Sequence, residues 1–502
     1  MASRTRHRLL LATTLVATVV MAGCAGAGSS SSRSSGPIGM PGGFRTPRPD
    51  AAGEARGRGP TTEVDPAEMP QSTFGMDVDT ASYTYARTLL GQGQQPAPES
   101  VRPEEFVNAF RQDYPQPPGD GFTVTLDGAR LPEQQRTSPP GDVRLLRIGL
   151  QTRADDAGAR PDAALTFVID SSGSMGDPGK LDMVRQALHS FIDQLRPTDS
   201  VAIVTFNDTA QVLQPLTTGR GRAGLHEAVD ELRANGSTNL EGGLVAGYEV
   251  AREGFRKGAT NRVVLLSDGL ANVGDTDAAP ILAQVREAAG KQIGLLGVGV
   301  GSDYGDALME QLADRGDGFV IYVSELAAAR RAFAERLPAT SSVRALDAKV
   351  QVTFDPRTVA GYRLVGYDDR ALAAQDFRDD RVDGGEVAAG HSVTALYTVR
   401  LRAGAGGQVA HTELRWQDPR THQAVEAGGN VTVADLDVPF ARAGARLQVC
   451  YAAAYFAERL RHSPSGGQVS GADLARLADA AADRTEDADV RDLARAIRSA
   501  AD

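Results

Sequence analysis

Asp170, Ser172 and Ser174 stand two apart where an apolar run, Phe167-Val168-Ile169, breaks into a turn. Thr238 closes Asn235-Gly236-Ser237-Thr238, and Asp268 follows a second apolar run, Val263-Val264-Leu265-Leu266-Ser267. All five residues offer oxygen ligands. A magnesium-like ion wants near-octahedral oxygen coordination and gives up its waters reluctantly. Ser172 and Ser174, on one tight turn, can aim their hydroxyls the same way, and Thr238 can add a third. Asp170 and Asp268 can then accept hydrogen bonds from metal-bound waters. The expected ion is Mg²⁺, with Mn²⁺ or Ca²⁺ as alternatives. With both carboxylates held back, such an ion gains from one more anionic oxygen, which an Asp or Glu of a protein partner would supply. Taken singly, Ser172, Ser174 and Thr238 would be read as caps of turns or helices. Five oxygen-bearing residues in this order argue for an ion site that docks a partner.

Bringing them together requires a parallel sheet, which gathers loops from distant segments at the carboxyl ends of its strands. Apolar runs at Leu165–Ile169, Val201–Phe206, Arg262–Leu266, Gly294–Val300 and Phe319–Val323 read as those strands. Helical stretches such as 181–188, with apolar residues at 3–4 spacing, lie between them. Gln211 to Leu216 is expected as an antiparallel edge strand. The alternation predicts an α/β fold with a central, doubly wound, mainly parallel sheet.

At Asp170-x-Ser172-x-Ser174, Thr238 and Asp268 the sequence resembles the von Willebrand factor type A domain family, whose metal-ion-dependent adhesion site has this pattern. Asp170-Ser171-Ser172-Gly173-Ser174-Met175 and Ser267-Asp268-Gly269 also match the flanks usual in that family. Gly361–Tyr367 and Ala389–Tyr397 resemble the C-terminal domain of its bacterial YfbK-like group, and the segment from 72 resembles that group's N-terminal domain. Composition at the N-terminus and the resemblance beyond it imply five parts. Residues 1–23 would be a lipoprotein signal peptide, 24–71 a disordered tether, and 72–160 a small α+β accessory domain. Residues 161–340 would be the type A domain, and 341–502 a β-rich, sandwich-like domain with terminal helices.

The two ends carry further signals. Arg4, Arg6 and Arg8 precede an apolar stretch from Leu9 to Ala22, shorter than the ~20 residues that span a bilayer as a helix. It runs into Met21-Ala22-Gly23-Cys24, which resembles a bacterial lipobox. Cys24 is therefore the expected lipidation site, anchoring the protein to a membrane on the extracytoplasmic side of the cell envelope. Ala25 favours the outer membrane where the organism has one. Residues 25 to 71 are rich in Gly, Ser, Pro and Arg and too poor in apolar residues to fold. With Cys24 acylated, Cys450 has no disulfide partner and reads as a small hydrophobe in a helix core.

Composition excludes several classes. A formal charge of −11 argues against nucleic acid as a partner. No Gly-x-x-x-x-Gly-Lys phosphate loop is present. Ser172 and Ser174 lack a nearby His and a nucleophile elbow, so no catalytic residue is expected. Seven histidines are scattered singly. Asp77 with Asp79 reads as a turn, and Asp376, Asp379, Asp380, Asp383 and Glu386 as a solvated loop. Scarce lysine (Lys180, Lys257, Lys291, Lys349) reads as a compositional oddity. Asn235-Gly236-Ser237 matches a glycosylation sequon beside Thr238. A metal-dependent hydrolase and a scaffold with a vestigial site are the alternatives to a binding module.

Overall fold

The computed structural model describes residues 62–501 apart from 133–134, 136–140, 156–159, 270–277, 302–305, 317, 334–341, 381 and 383. Cys24 and the expected signal peptide lie outside the described residues, as does the tether up to 61. The first elements are β1 (Gln71–Gly75), α1 (Ala81–Gly91), α2 (Pro103–Asn108), β2 (Phe122–Arg130) and β3 (Asp142–Thr152).

A six-stranded sheet follows, built from β4 (Ala163–Asp170), β5 (Ser200–Phe206), β6 (Ala210–Thr218), β7 (Thr260–Ser267), β8 (Ile293–Val300) and β9 (Phe319–Val323) in the order β6-β5-β4-β7-β8-β9. Only β6, at the edge, is antiparallel. Parallel strands covered on both faces read as continuous apolar runs, which is why these were legible. Side chains alternate across the sheet. Leu165, Phe167 and Ile169 face a core shared with α3 (Leu181–Gln194), α4 (Arg222–Glu231) and α8 (Leu326–Arg331). Val168 faces the opposite core, with α5 (Leu240–Glu253), α6 (Ala278–Ala289) and α7 (Asp306–Arg315).

Glycine lets α5 lie close to the sheet. A Cβ on Gly247 would sit 2.2 Å from Val168 Cγ2, and one on Gly243 2.6 Å from the Phe206 ring. That close approach fixes the position of the helix whose amino end follows Thr238.

The remainder comprises β10 (Val343–Phe354), β11 (Val359–Val365), β12 (Ala371–Leu372), β13 (Val387–Ala388), β14 (Ser392–Leu401), β15 (Gln408–Gln417) and β16 (Ala424–Thr432). Helices α9 (Ala445–Leu460), α10 (Gly471–Thr485) and α11 (Ala488–Ala501) end the fold. Two further sheets form here, ordered β12-β1-β10-β15-β16 (with β13 on β10) and β11-β14-β3-β2. They enclose one core containing Phe74, Ile148, Val352 and Tyr397. The outer face of the second sheet contributes Leu145 and Leu396 to a core with α1, α2 and the three terminal helices. Cys450 lies fully buried there, as a free thiol in α9.

The sheets do not respect the expected boundary between 72–160 and 341–502. β1 pairs with β10 (Phe74↔Val350), and β3 pairs with β14 (Ile148↔Ala395). The parallel-sheet segment is thus inserted between β3 and β10 of one β-sandwich. Period-two patterning identifies a strand but not its partner, and here the partners lie far apart in sequence.

Candidate metal site

The parallel pairing of β4 with β7 aligns Ile169 with Leu266, so Asp170 and Asp268 emerge side by side at the carboxyl ends of neighbouring strands. Asp170 Oδ1 accepts the Ser172 amide at 2.8 Å, and its Oδ2 accepts the Ser267 hydroxyl at 2.6 Å. The Ser172 and Ser174 hydroxyls lie 3.1 Å apart, and Ser174 Oγ donates to Asp268 Oδ1 at 2.9 Å. Four of the five expected residues therefore form one hydrogen-bonded series.

Thr238 comes from the neighbouring loop, and it is buried. Two backbone hydrogen bonds tie that loop to the serine turn: Asn235 N–H to Ser171 O at 2.8 Å and Gly173 N–H to Gly236 O at 3.0 Å. Asn239 Oδ1 then caps α5 by accepting the Gly242 amide at 2.9 Å. The serine turn is also held to β5, where Ser171 N–H reaches Phe206 O at 2.8 Å.

In an octahedral site with metal–oxygen distances of about 2.1 Å, neighbouring ligands lie about 3 Å apart. Ser172 Oγ and Ser174 Oγ already have that spacing, and Asp268 Oδ1, 2.9 Å from Ser174 Oγ, stands within hydrogen-bond reach of a water on the same ion. Burial pushes the Asp170 carboxyl above its ordinary range, and Asp268 pushes the same way, against hydrogen bonds from Ser267 and Ser172. A buried carboxylate in that position gains from a nearby cation. The hydroxyls and carboxylates present thus fit a hard divalent ion.

Lys180 and Ser267 were not singled out from sequence. Lys180 Nζ lies 2.7 Å from Asp268 Oδ2 and 3.3 Å from Asp177 Oδ2. The four lysines divide by burial. Of the four, Lys180 and Lys349 are buried, and Lys349 donates to the Asp379 carbonyl at 2.6 Å. Ser267 precedes Asp268 directly, and its hydroxyl aims at Asp170.

The other acidic candidates serve structure. Asp77 Oδ1 accepts the Asp79 amide at 2.8 Å, and Asp79 Oδ1 accepts the Val320 amide of β9 at 2.9 Å. Asp380 pairs with Arg415 at 2.8 Å, and Asp383 lies outside the described residues. Among the described residues, no group of three or more His, Cys, Asp or Glu is disposed to hold an ion. The histidines are not all isolated in space: His189 and His226, on α3 and α4, bring their Nδ1 atoms to 2.8 Å. With ring centroids 5.0 Å apart and planes within 18°, the nitrogens face each other nearly head-on. That arrangement suits a shared proton, not a chelated ion.

Comparison with known proteins places this architecture. The family model described as the von Willebrand factor type A domain matches residues 164–335, from β4 through α8. These residues are a von Willebrand factor type A domain. Two further models match, one described as "Uncharacterized protein YfbK, C-terminal" at 340–409 and one as "von Willebrand factor" at 59–138. The chain is 34% identical to the uncharacterized protein YfbK of Escherichia coli over 345 residues, 67% of this chain and 59% of that protein. It is 28% identical to the uncharacterized protein sll0103 of Synechocystis over 218 residues, 43% of this chain and 51% of that one. The chain thus spans between half and three fifths of the length of these two relatives. Among solved structures, a von Willebrand factor type A protein from Catenulispora acidiphila aligns with a TM-score of 0.47 and 18% identity. The alignment covers 75% of this chain and 89% of that one. Type A domains are often involved in protein–protein interaction, commonly bind a divalent metal, and are generally non-enzymatic.

Proposed function

We propose that this protein is a lipid-anchored docking protein of the cell envelope. Asp170, Ser172, Ser174, Thr238 and Asp268 would hold a divalent cation, Mg²⁺ first, with Mn²⁺ or Ca²⁺ as substitutes. When bound, the cation offers one coordination position to an Asp or Glu of a protein partner. The observation that carries this reading is the convergence of Ser172 Oγ and Ser174 Oγ, 3.1 Å apart as adjacent vertices of an octahedron would be, with Asp268 Oδ1 behind them at 2.9 Å from Ser174 Oγ.

The protein's own residues do the rest. Asp170 orients the turn through the Ser172 amide and remains behind the hydroxyls. Asp268 is shared between Ser174 and Lys180, so the site carries less net negative charge than its two carboxylates suggest. A cation held mainly by neutral oxygens keeps its affinity for an incoming carboxylate. Cys24 would hold the protein to the membrane, the outer one where the organism has two.

Calorimetric titration of the purified protein with Mg²⁺ tests the metal: heat should be released, and Asp170→Ala should abolish it. Partner capture from envelope extract should then depend on the cation and be lost with chelator. Capture that survives both chelation and Asp170→Ala would remove the metal from the docking step. Metal-dependent hydrolysis of a phosphoester or peptide, lost in Asp268→Ala, would favour the hydrolase instead. Cys24→Ala should release the protein from the membrane fraction.

A further inference from the structure

Asn235-Gly236 is the one Asn-Gly pair in the sequence, and it stands in the loop that leads to Thr238. Both residues are exposed. Gly236 has φ +72°, which favours glycine, and a Cβ there would sit 2.4 Å from Asp208 Oδ2 and make that side chain shift. Glycine also leaves its own amide nitrogen unshielded. Among the described residues that nitrogen donates no hydrogen bond, whereas its neighbours do: Asn235 N–H to Ser171 O, and Ser237 N–H to Asp208 Oδ1 at 3.1 Å.

The electrophile is prepared as well. Asn207 Nδ2 donates to Asn235 Oδ1 at 2.5 Å. A donor on that oxygen draws electrons from Asn235 Cγ and stabilises the oxyanion that forms when a nucleophile adds to it. Backbone hydrogen bonds on either side, from Asn235 N–H to Ser171 O and from Gly173 N–H to Gly236 O, hold this stretch of backbone in place.

We propose that Asn235 is a site of spontaneous deamidation. The Gly236 amide nitrogen adds to Asn235 Cγ, forming a C–N bond and losing its proton to solvent. The bond from Cγ to Nδ2 then breaks, and ammonia leaves. The resulting five-membered imide takes up one water at either carbonyl and opens to aspartate or isoaspartate. Overall, one water is consumed and one ammonia released, with no oxidant, reductant or cofactor.

Either product adds a carboxylate beside Asp208, three residues before Thr238. The isoaspartyl product also routes the backbone through the former side chain, which inserts a methylene between the two backbone hydrogen bonds that join this loop to the serine turn. The new charge would meet an incoming acidic side chain of a partner. That consequence rests on the docking reading; the chemistry does not.

The test is peptide mass analysis of the full-length protein aged at mildly alkaline pH and body temperature. Trypsin releases Ala234 to Arg252. This fragment should gain the mass difference between a hydroxyl and an amino group, elute as two products, and accept label from an isoaspartyl methyltransferase. Asn235→Gln, which leaves a longer amide out of reach of the Gly236 nitrogen, should show none of these changes. Its thermal transition serves as the check that it folds. If the fragment stays unconverted in the folded protein while the same peptide converts in isolation, the fold protects Asn235 and the proposal is wrong. Because Mg²⁺ plays no part in the measurement, that failure would leave the docking reading untouched.

Discussion

Lys180 Nζ sits 2.7 Å from Asp268 Oδ2, and both side chains are almost wholly buried. A positive charge is therefore built into the floor of a site whose other groups are hydroxyls and carboxylates. Removing it leaves Asp268 buried and uncompensated, which costs about 3 kcal/mol. Lys180→Met should lower the thermal midpoint without metal. A divalent ion can then replace the lost charge, so added Mg²⁺ should raise the midpoint more in the variant than in the parent. Equal Mg²⁺-induced shifts in the two proteins would show that Lys180 and the cation do not act on the same carboxylate.

Gly247 governs how closely α5 approaches β4, because a methyl group there would fall 2.2 Å from Val168 Cγ2. Gly247→Ala should destabilise by about 1–3 kcal/mol through overpacking. Set against the roughly 1 kcal/mol the substitution gains in helix propensity, the net expectation is a loss of up to about 2 kcal/mol. Chemical denaturation measures the balance. A net increase in stability would mean that α5 shifts freely and does not fix the Thr238 loop.

The parts legible in the sequence were those whose signal is local. β4, β5, β7, β8 and β9 are apolar runs because both faces are covered, and Asp170, Ser172, Ser174 and Asp268 were recognisable by order and flanks. What stayed hidden depends on distant partners. Gln71-Ser72-Thr73-Phe74-Gly75 straddles the expected end of the tether at 71 and gives no strand signal of its own until Phe74 is seen paired with Val350. β16 contains Gly428 and Gly429 and is mostly exposed, so its pattern carries little hydrophobic signal. Lys180 resembled any surface lysine, because only the fold turns its ammonium toward Asp268.

Asp199 ties the amino ends of β4 and β5 together, at the opposite end of the sheet from the candidate site. Its carboxylate receives Arg160 at 3.0 and 2.6 Å, Arg196 Nη2 at 3.1 Å and the Ala163 amide at 3.0 Å. Burial alone would raise its pKa, but Arg160 and Arg196 outweigh burial and hold it at about 2, below the ordinary 3.8. A lowered folded-state pKa gives stability that is present above the unfolded value and lost as pH falls towards the folded one. Asp199→Asn should therefore cost about 3 kcal/mol at neutral pH. The gap between variant and parent should narrow on acidification between roughly pH 4 and 2. Thermal midpoints across that range give the comparison, and a gap independent of pH would mean that Asp199 acts through packing alone.

Glu104 has the opposite sign. It is buried at the start of α2, and burial first, then the nearby Asp77, push its carboxyl up to about 7 from the ordinary 4.5. The folded protein thus favours the neutral acid. Stability from such a group is complete below the unfolded pKa and declines as pH rises towards the folded value, because the unfolded state releases the proton first. Glu104→Gln keeps the shape of the neutral acid and cannot ionise. The variant should match the parent near pH 4 and be the more stable of the two near pH 8, by about 1–3 kcal/mol, the scale on which a buried polar group is disfavoured. Denaturant midpoints at the two pH values decide it. A variant less stable than the parent at the higher pH would mean that the ionised carboxylate has a counter-charge which stabilises it in the fold.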